Sequence, residues 1–295
     1  MTLDSFYHNL HLVKRYSAHT VSAYKSDLNQ FDSYLKSSYE IENAEEVTQA
    51  VIRSWLASMV DSGHSHRSIN RKLSAIKAYF NFLIRESKLQ SNPALRIVSL
   101  KVPKRLPVSA SKAEMQKVLY PESNTSPIAF DLRRDLLILE LFYSTGIRLS
   151  ELINLKLSDI NRSAMTIKVT GKRNKQRIIP VTIELLHIID EYLKERENVA
   201  EAGTPEIIVT DKGKKAYSVF IYRRVTHYLG EAGVRGRKSP HILRHTFATH
   251  MLNEGADLNA IKELLGHASL AATQVYTHVS VEKLKSIYKL AHPRA

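Results

Sequence analysis

The stretch Ser239-Pro-His-Ile-Leu-Arg-His-Thr-Phe-Ala-Thr-His250 sets groups that bind anions or move protons at helical spacing. Ser239 suits an N-cap, Pro240 the first turn and Gly255 the stop. His241, Arg244 and His245 then fall at i, i+3 and i+4, on one face of one helix. His241 lies in the first turn, where free N–H groups and the helix dipole favour an anion. Arg244 adds a planar fork of donors that matches phosphate oxygens. Gly266, His267 and Tyr276 follow soon after. Any one of these residues is an ordinary part of a polar helix face; together they describe a phosphate site with a nucleophile close by.

For a phosphodiester, cleavage without a metal needs a nucleophile, cationic donors for the pentacoordinate transition state and a proton donor for the leaving 5′ oxygen. Arg148 and Arg244 can clamp the two non-bridging oxygens. His241 and His267 can hydrogen-bond them or shuttle protons. Lys172 can act as general acid, with Lys175 its nearest competitor, and Tyr276 can be the nucleophile. Tyr276 is one of 14 tyrosines, so alone it carries no signal. Arg148 follows Thr145-Gly146-Ile147, where a structural role at a helix start is an equal reading. No cysteine is present, no DxD or HExxH pattern occurs, and the arginines beside His241 and His245 disfavour a cation, so no metal site is expected.

The elements that must position these groups read mostly as helices. Val21, Tyr24, Leu28, Phe31 and Leu35 form one apolar stripe, Val51, Ile52, Trp55, Leu56 and Met59 a second, and Ile69, Leu73, Ile76, Phe80 and Leu83 a third. With a short helix over residues 2–12 they make a four-helix bundle, residues 1–97. The third helix also carries Arg67, Arg71, Lys72 and Lys77, a basic face expected to meet phosphates. Two prolines and three basic residues, Lys101, Lys104 and Arg105, mark residues 98–108 as an extended linker, able to add phosphate contacts.

The second domain, residues 109–295, opens on the capping box Ser111–Glu114. A buried helix follows over 131–143, ended by Gly146, and another begins at Arg148. Two β-type runs, 165–169 and 177–181, flank Gly171–Gln176, which gives a hairpin with a highly basic tip. From Ile183 the chain is again helical, broken at Gly203–Pro205 and Gly233–Lys238. The fold class is therefore mainly α in two domains, with one small antiparallel hairpin sheet.

The 295 residues carry 43 Lys+Arg against 29 Asp+Glu, a formal net charge of +14, which points to a polyanionic partner. The absence of cysteine suits a reducing cytoplasm. Residues 1–6 show no basic region leading into an apolar run, and no apolar run approaches membrane-spanning length. A soluble cytoplasmic protein without signal peptide or membrane insertion is expected.

Thr145-Gly-Ile-Arg-Leu-Ser-Glu-Leu152, Gly171-Lys172, His241-Ile-Leu-Arg-His245, Leu265-Gly-His267 and Tyr276-Thr-His278 resemble, in order and spacing, the tyrosine recombinase (phage integrase) family across essentially the whole chain. The compact size resembles its Xer branch, and His292–Ala295 resembles the XerD-type tail. The resemblance implies an active site of Arg148, Lys172, His241, Arg244, His267 and Tyr276, with Glu151 and His245 orienting the arginine and the helix. It implies a SAM-like core-binding bundle and a catalytic domain gripping opposite faces of a duplex. It also implies strand exchange through a 3′-phosphotyrosyl link and a Holliday junction, with no cofactor. The implied partners are double-stranded DNA, a second Xer recombinase in a tetrameric synapse and an FtsK-like septal DNA translocase. A phage or mobile-element integrase, a type IB topoisomerase and a DNA-binding protein without catalysis are the competing readings. The apolar stripe over 281–290 is too short to stand alone, and the resemblance implies that it docks into a neighbouring protomer rather than its own domain.

Overall fold

Asp4–His8 forms helix α1, which runs on as a π-helical turn over Asn9–Val13 and buries Phe6 and Leu10. Ser17, Thr48 and Ser65 each accept a hydrogen bond from the backbone N–H three residues on, and each starts a helix. These are α2 (Ala18–Tyr39), α3 (Gln49–Asp61) and α4 (His66–Arg85). Such caps satisfy donors that the helix itself leaves open. Leu28, Phe31, Leu35, Ile52, Trp55, Ile69, Ile76 and Phe80 meet in one core, with the Phe31 and Trp55 rings 4.8 Å apart. The structure, a computed structural model, describes residues 3–14, 16–103, 109–120, 129–171, 174–236, 238–266 and 281–291. The chain divides into two units, residues 1–105 and 106–295, each with its own core.

Two of the four basic residues on α4 do not serve as a free phosphate-facing row. Lys72 is buried, with its ammonium on Asp27 Oδ1 at 2.9 Å and Gln30 Oε1 at 2.6 Å. Lys77 donates to the Ile97 carbonyl at 2.7 Å. Both were expected at phosphates; in this structure each bonds within its own unit, Lys72 buried and Lys77 half-buried. Arg71 pairs with Asp27 yet keeps about half its side chain exposed, whereas Arg67 is exposed. The expected linker is also less free at its start. Asn70 exchanges two 2.8 Å hydrogen bonds with the backbone of Leu100, and His66 Nδ1 lies 2.8 Å from the Lys101 carbonyl. Lys101 itself is exposed; Lys104 and Arg105 lie outside the described residues.

The second unit starts with α5 (Lys112–Leu119), whose Ser111–Glu114 capping box forms. Helix α6 (Phe130–Thr145) is buried on nearly every side over its second half, and α7 (Leu149–Ile153) follows a tight turn. The sheet has three strands in the order β1 (Ile160–Asn161), β2 (Thr166–Thr170), β3 (Gln176–Pro180), all antiparallel. The short β1 gave no sequence signal because two residues show no alternation. Helices α8 (Ile183–Arg196), α9 (Ser218–Glu231), α10 (Pro240–Asn253) and α11 (Leu258–Leu265) surround α6 and the sheet. Between α8 and α9 the backbone is irregular but pinned. Arg196 donates to the carbonyls of Thr204, Glu206 and Ile207, and Ile207, Ile208 and Val209 are buried.

The last helix, α12 (Val281–Ala291), packs in this single chain on its own catalytic unit against β3, α10 and α11. Tyr288 and Ala291 are buried there, and the Tyr288 hydroxyl donates to the Ser144 carbonyl at 2.8 Å. Among the described residues, no helix is long and apolar enough to cross a membrane.

Candidate active site

The turn joining α6 to α7 is built on Gly146. It closes α6 in the left-handed conformation (φ +58°), and an added Cβ would sit 2.6 Å from Phe247 Cδ1 and 2.7 Å from Leu265 Cδ2. Only glycine lets the three helices α6, α10 and α11 converge this closely. The next turn begins with Arg148 at the N-cap of α7. Its backbone N–H donates to Glu151 Oε2 and its Nη1 to Glu151 Oε1, both at 2.8 Å. The expected pairing of an arginine at a helix start with an acid three residues on is thus a charged clasp.

Helix α10 takes Ser239 at its N-cap and Pro240 in its first turn, although the Ser239 hydroxyl makes no capping bond. His241 is exposed at that end. His245 is half-buried, its Nε2 3.5 Å from Thr249 Oγ1. Arg244 points inward and is buried. It donates through Nη1 to the Gly146 carbonyl and through Nη2 to the Leu265 carbonyl.

A third arginine joins them that sequence reasoning did not single out. Arg177 on β3 donates through Nη1 to Glu151 Oε1 at 2.8 Å, through Nη2 to Glu151 Oε2 at 2.9 Å, and through Nε to the Leu264 carbonyl at 2.7 Å. The signal for it was present. Strand alternation puts Arg177 on the same face as buried Ile179, while Ile178 between them is exposed, so an arginine occupies an inward position.

The C-terminal end of α11 gathers all three. Arg148 Nη2 donates to the Gly266 carbonyl at 3.0 Å, so Leu264, Leu265 and Gly266 each accept from a different arginine. The last carbonyls of a helix lack intrahelical partners and carry the negative end of its dipole, which makes them a fixed scaffold for cations. The hairpin tip begins against the same cluster. A Cβ on Gly171 would lie 3.1 Å from Glu151 Oε1 and 3.9 Å from Arg148 Nη1, and the Gly171 N–H donates to the Lys175 carbonyl at 2.8 Å. Of the expected site, the structure brings Arg148, Glu151 and Arg244 together, with His241 and His245 on the same helix as Arg244. Lys172, His267 and Tyr276 lie outside the described residues.

Among the described residues, three guanidiniums (Arg148, Arg177 and Arg244) beside one carboxylate leave two positive charges in excess. Burial pushes the Glu151 carboxyl up, but the Arg177 fork, the Arg148 backbone N–H and the Arg148 guanidinium outweigh it and hold the pKa down at about 2. Its contribution to stability is therefore present above the unfolded carboxyl range and is lost only as pH falls toward about 2. Burial, then repulsion from Arg148 and Arg177, lowers Arg244 to about 10, with Glu151 as a partial offset. Arg244 stays a cation at neutral pH yet is under-compensated, the condition an arriving anion relieves. Neither Arg148 nor Arg244 engages its whole fork of donors with described residues, so both retain donors for phosphate oxygens.

Residues 113–283 match the phage integrase family and residues 3–87 match the phage integrase N-terminal SAM-like domain. The chain belongs to the phage integrase family. It is 36% identical to the tyrosine recombinase XerC of Chlorobaculum parvum, covering 99% of this chain and 94% of that protein. It is also 36% identical to the tyrosine recombinase XerD of Proteus mirabilis, covering 99% and 93%. Relatives of both Xer types are thus similar to this chain over nearly its whole length. In fold, the chain resembles the XerH site-specific recombinase in a post-cleavage complex with its difH substrate, at a TM-score of 0.71 over 90% of this chain and 78% of that one, with 23% identity.

Proposed function

We propose that this tyrosine recombinase performs conservative site-specific recombination in the Xer manner, resolving chromosome dimers at cell division. The Tyr276 hydroxyl attacks the scissile phosphorus as the bond to the 5′ oxygen breaks. Lys172 delivers the proton that the leaving oxygen takes up. Arg148 and Arg244 hold the two non-bridging oxygens as charge builds on them. His241 and His267 hydrogen-bond the same group and relay the tyrosine proton. The 3′-phosphotyrosyl link keeps the energy of the broken ester. A 5′-hydroxyl from a second duplex attacks it, so strands exchange through a Holliday junction. This chemistry draws on side chains alone, without metal or nucleotide. The partners of this reading are the duplex site, a second Xer recombinase completing a tetramer, and an FtsK-like septal translocase. The cytoplasm is its compartment.

The single observation that carries the reading is the excess of two positive charges on convergent arginines beside the hairpin that bears Lys172. Such an arrangement fits a phosphodiester passing through a more highly charged transition state. Tyr276→Phe is the test. Only the hydroxyl is removed, so DNA is still expected to bind and its site can be recovered by sequencing the trapped fragments, while the covalent protein–DNA adduct is lost. An adduct in the variant would place the nucleophile elsewhere.

A further inference from the structure

Glu151 serves two arginines that stand in different positions. Arg148 keeps 32% of its side chain exposed and faces outward; Arg177 keeps 13% and lies behind the carboxylate. Arg177 is also the more fully tied, with a bidentate fork on Glu151 and its Nε on the Leu264 carbonyl. We propose that Arg177 is a positioning residue for the reaction, acting on the scissile phosphate through Glu151 and Arg148. This rests on the function proposed above.

Two physical effects follow from the sharing. The first is geometric. Each Glu151 oxygen accepts once from Arg148 and once from Arg177, so the carboxylate plane is fixed by strand β3 on one side and aims Arg148 on the other. A planar fork held at three points has little freedom to turn. The second effect is electrostatic. A carboxylate shared between two guanidiniums cannot neutralise either. Without Arg177, Glu151 would pair with Arg148 alone, and that arginine would bring less charge to the phosphate. Arg177 thus keeps Arg148 both aimed and only partly compensated by Glu151, without itself reaching the substrate. It also joins β3 to the end of α11, which the other two arginines share.

The test uses the full chain and a nicked duplex carrying the site recovered with Tyr276→Phe. Single-turnover adduct formation and DNA affinity are measured for wild type, Arg177→Gln, Arg177→Lys and Arg148→Ala. Misplacement of Arg148 by about 1 Å lowers the Arg177→Gln rate on the order of 100-fold, with Kd changed by no more than about threefold. The deciding substrate carries a methylphosphonate at the scissile position. Replacing one non-bridging oxygen by methyl removes the charge that Arg148 must meet. On it, Arg177→Gln and Arg148→Ala both return to within about tenfold of wild type. Arg177→Lys keeps a charge but not the fork, and shows the same pattern should the glutamine variant unfold. A defect that persists in full on methylphosphonate, or no defect at all, overturns the proposal. Failure of wild type to form any adduct would instead remove the recombination reading on which it stands.

Discussion

Two charged clusters in the catalytic unit, each built around a buried carboxylate, use the same chemical groups to opposite ends. Around Asp135, the fully buried Arg134 donates from Nε and Nη2 to Asp135 Oδ1 at 3.1 and 3.0 Å and from Nη1 to Asp211 at 2.5 Å. Arg224 closes the set on Asp135 Oδ2 at 3.3 Å. Two arginines meet two carboxylates, and the charges balance. The Arg134 guanidinium also lies over the rings of Phe220 and Phe130, at 4.7 and 5.7 Å. Burial pulls its pKa down, but Asp211 and Asp135 outweigh that and raise it. Around Glu151, two arginines share one carboxylate, and the neighbouring Arg244, which among the described residues bonds only backbone carbonyls, is lowered to about 10 instead. A compensated cluster is complete within the protein, whereas the other needs an anion to complete it. The contrast separates arginines that hold the fold from arginines that await a ligand.

Removing one guanidinium from each cluster makes the contrast measurable. Arg134→Ala takes from the buried Asp135 its main partner, leaving it to Arg224 alone, and costs about 3–5 kcal/mol of stability, read by denaturant unfolding, while adduct formation per folded molecule stays at the wild-type level. Arg244→Ala weights the two readouts the other way. The Gly146 and Leu265 carbonyls lose their donor, which costs stability, but relief of like-charge repulsion keeps that loss below the Arg134→Ala loss, and cleavage falls on the order of 10²–10³-fold, as when a donor to a developing oxyanion is lost. Equal stability losses in the two variants would erase the distinction.

The end of α6 supports the uncompensated cluster directly. The Gly146 carbonyl accepts from Arg244, and the Ser144 carbonyl two residues earlier accepts from Tyr288 of α12. Tyr288→Phe is expected to cost about 1 kcal/mol by the loss of one buried hydrogen bond. A shift in thermal unfolding without a shift in Kd for DNA would assign α12 to the folding of its own unit. No shift would mean the helix leaves this seat in solution.

The first unit repeats the comparison at smaller scale. Arg67 is exposed and Lys72 is buried on Asp27. Arg67→Ala is expected to reduce the slope of log K against log salt by about one if it meets a phosphate, with stability unchanged. Lys72→Met should leave the slope as it is and alter unfolding instead. The reverse outcome would mean that the bundle opens at Lys72 when DNA binds.

What the sequence determined by itself was local. The capping box at Ser111, the glycine at the end of α6, the β-type runs of β2 and β3, and the 3.6-residue stripes all act within a turn or two of the residues that show them, so period and cap suffice. The spacing of Arg148 and Glu151 belongs to the same class, as a pair on one helical turn. Tertiary structure alone decided which cations are available. Lys72, Lys77 and Arg67 read alike on one basic helix, and only Asp27, 45 residues from Lys72, and the Ile97 carbonyl tell them apart. Arg177 read as the start of a strand until the hairpin carried it 26 residues back to Glu151. Helix α12 likewise required knowing which apolar surface lay within reach. The reason in each case is the same: charge compensation and burial are properties of neighbours in space, and the chain order names only neighbours in sequence.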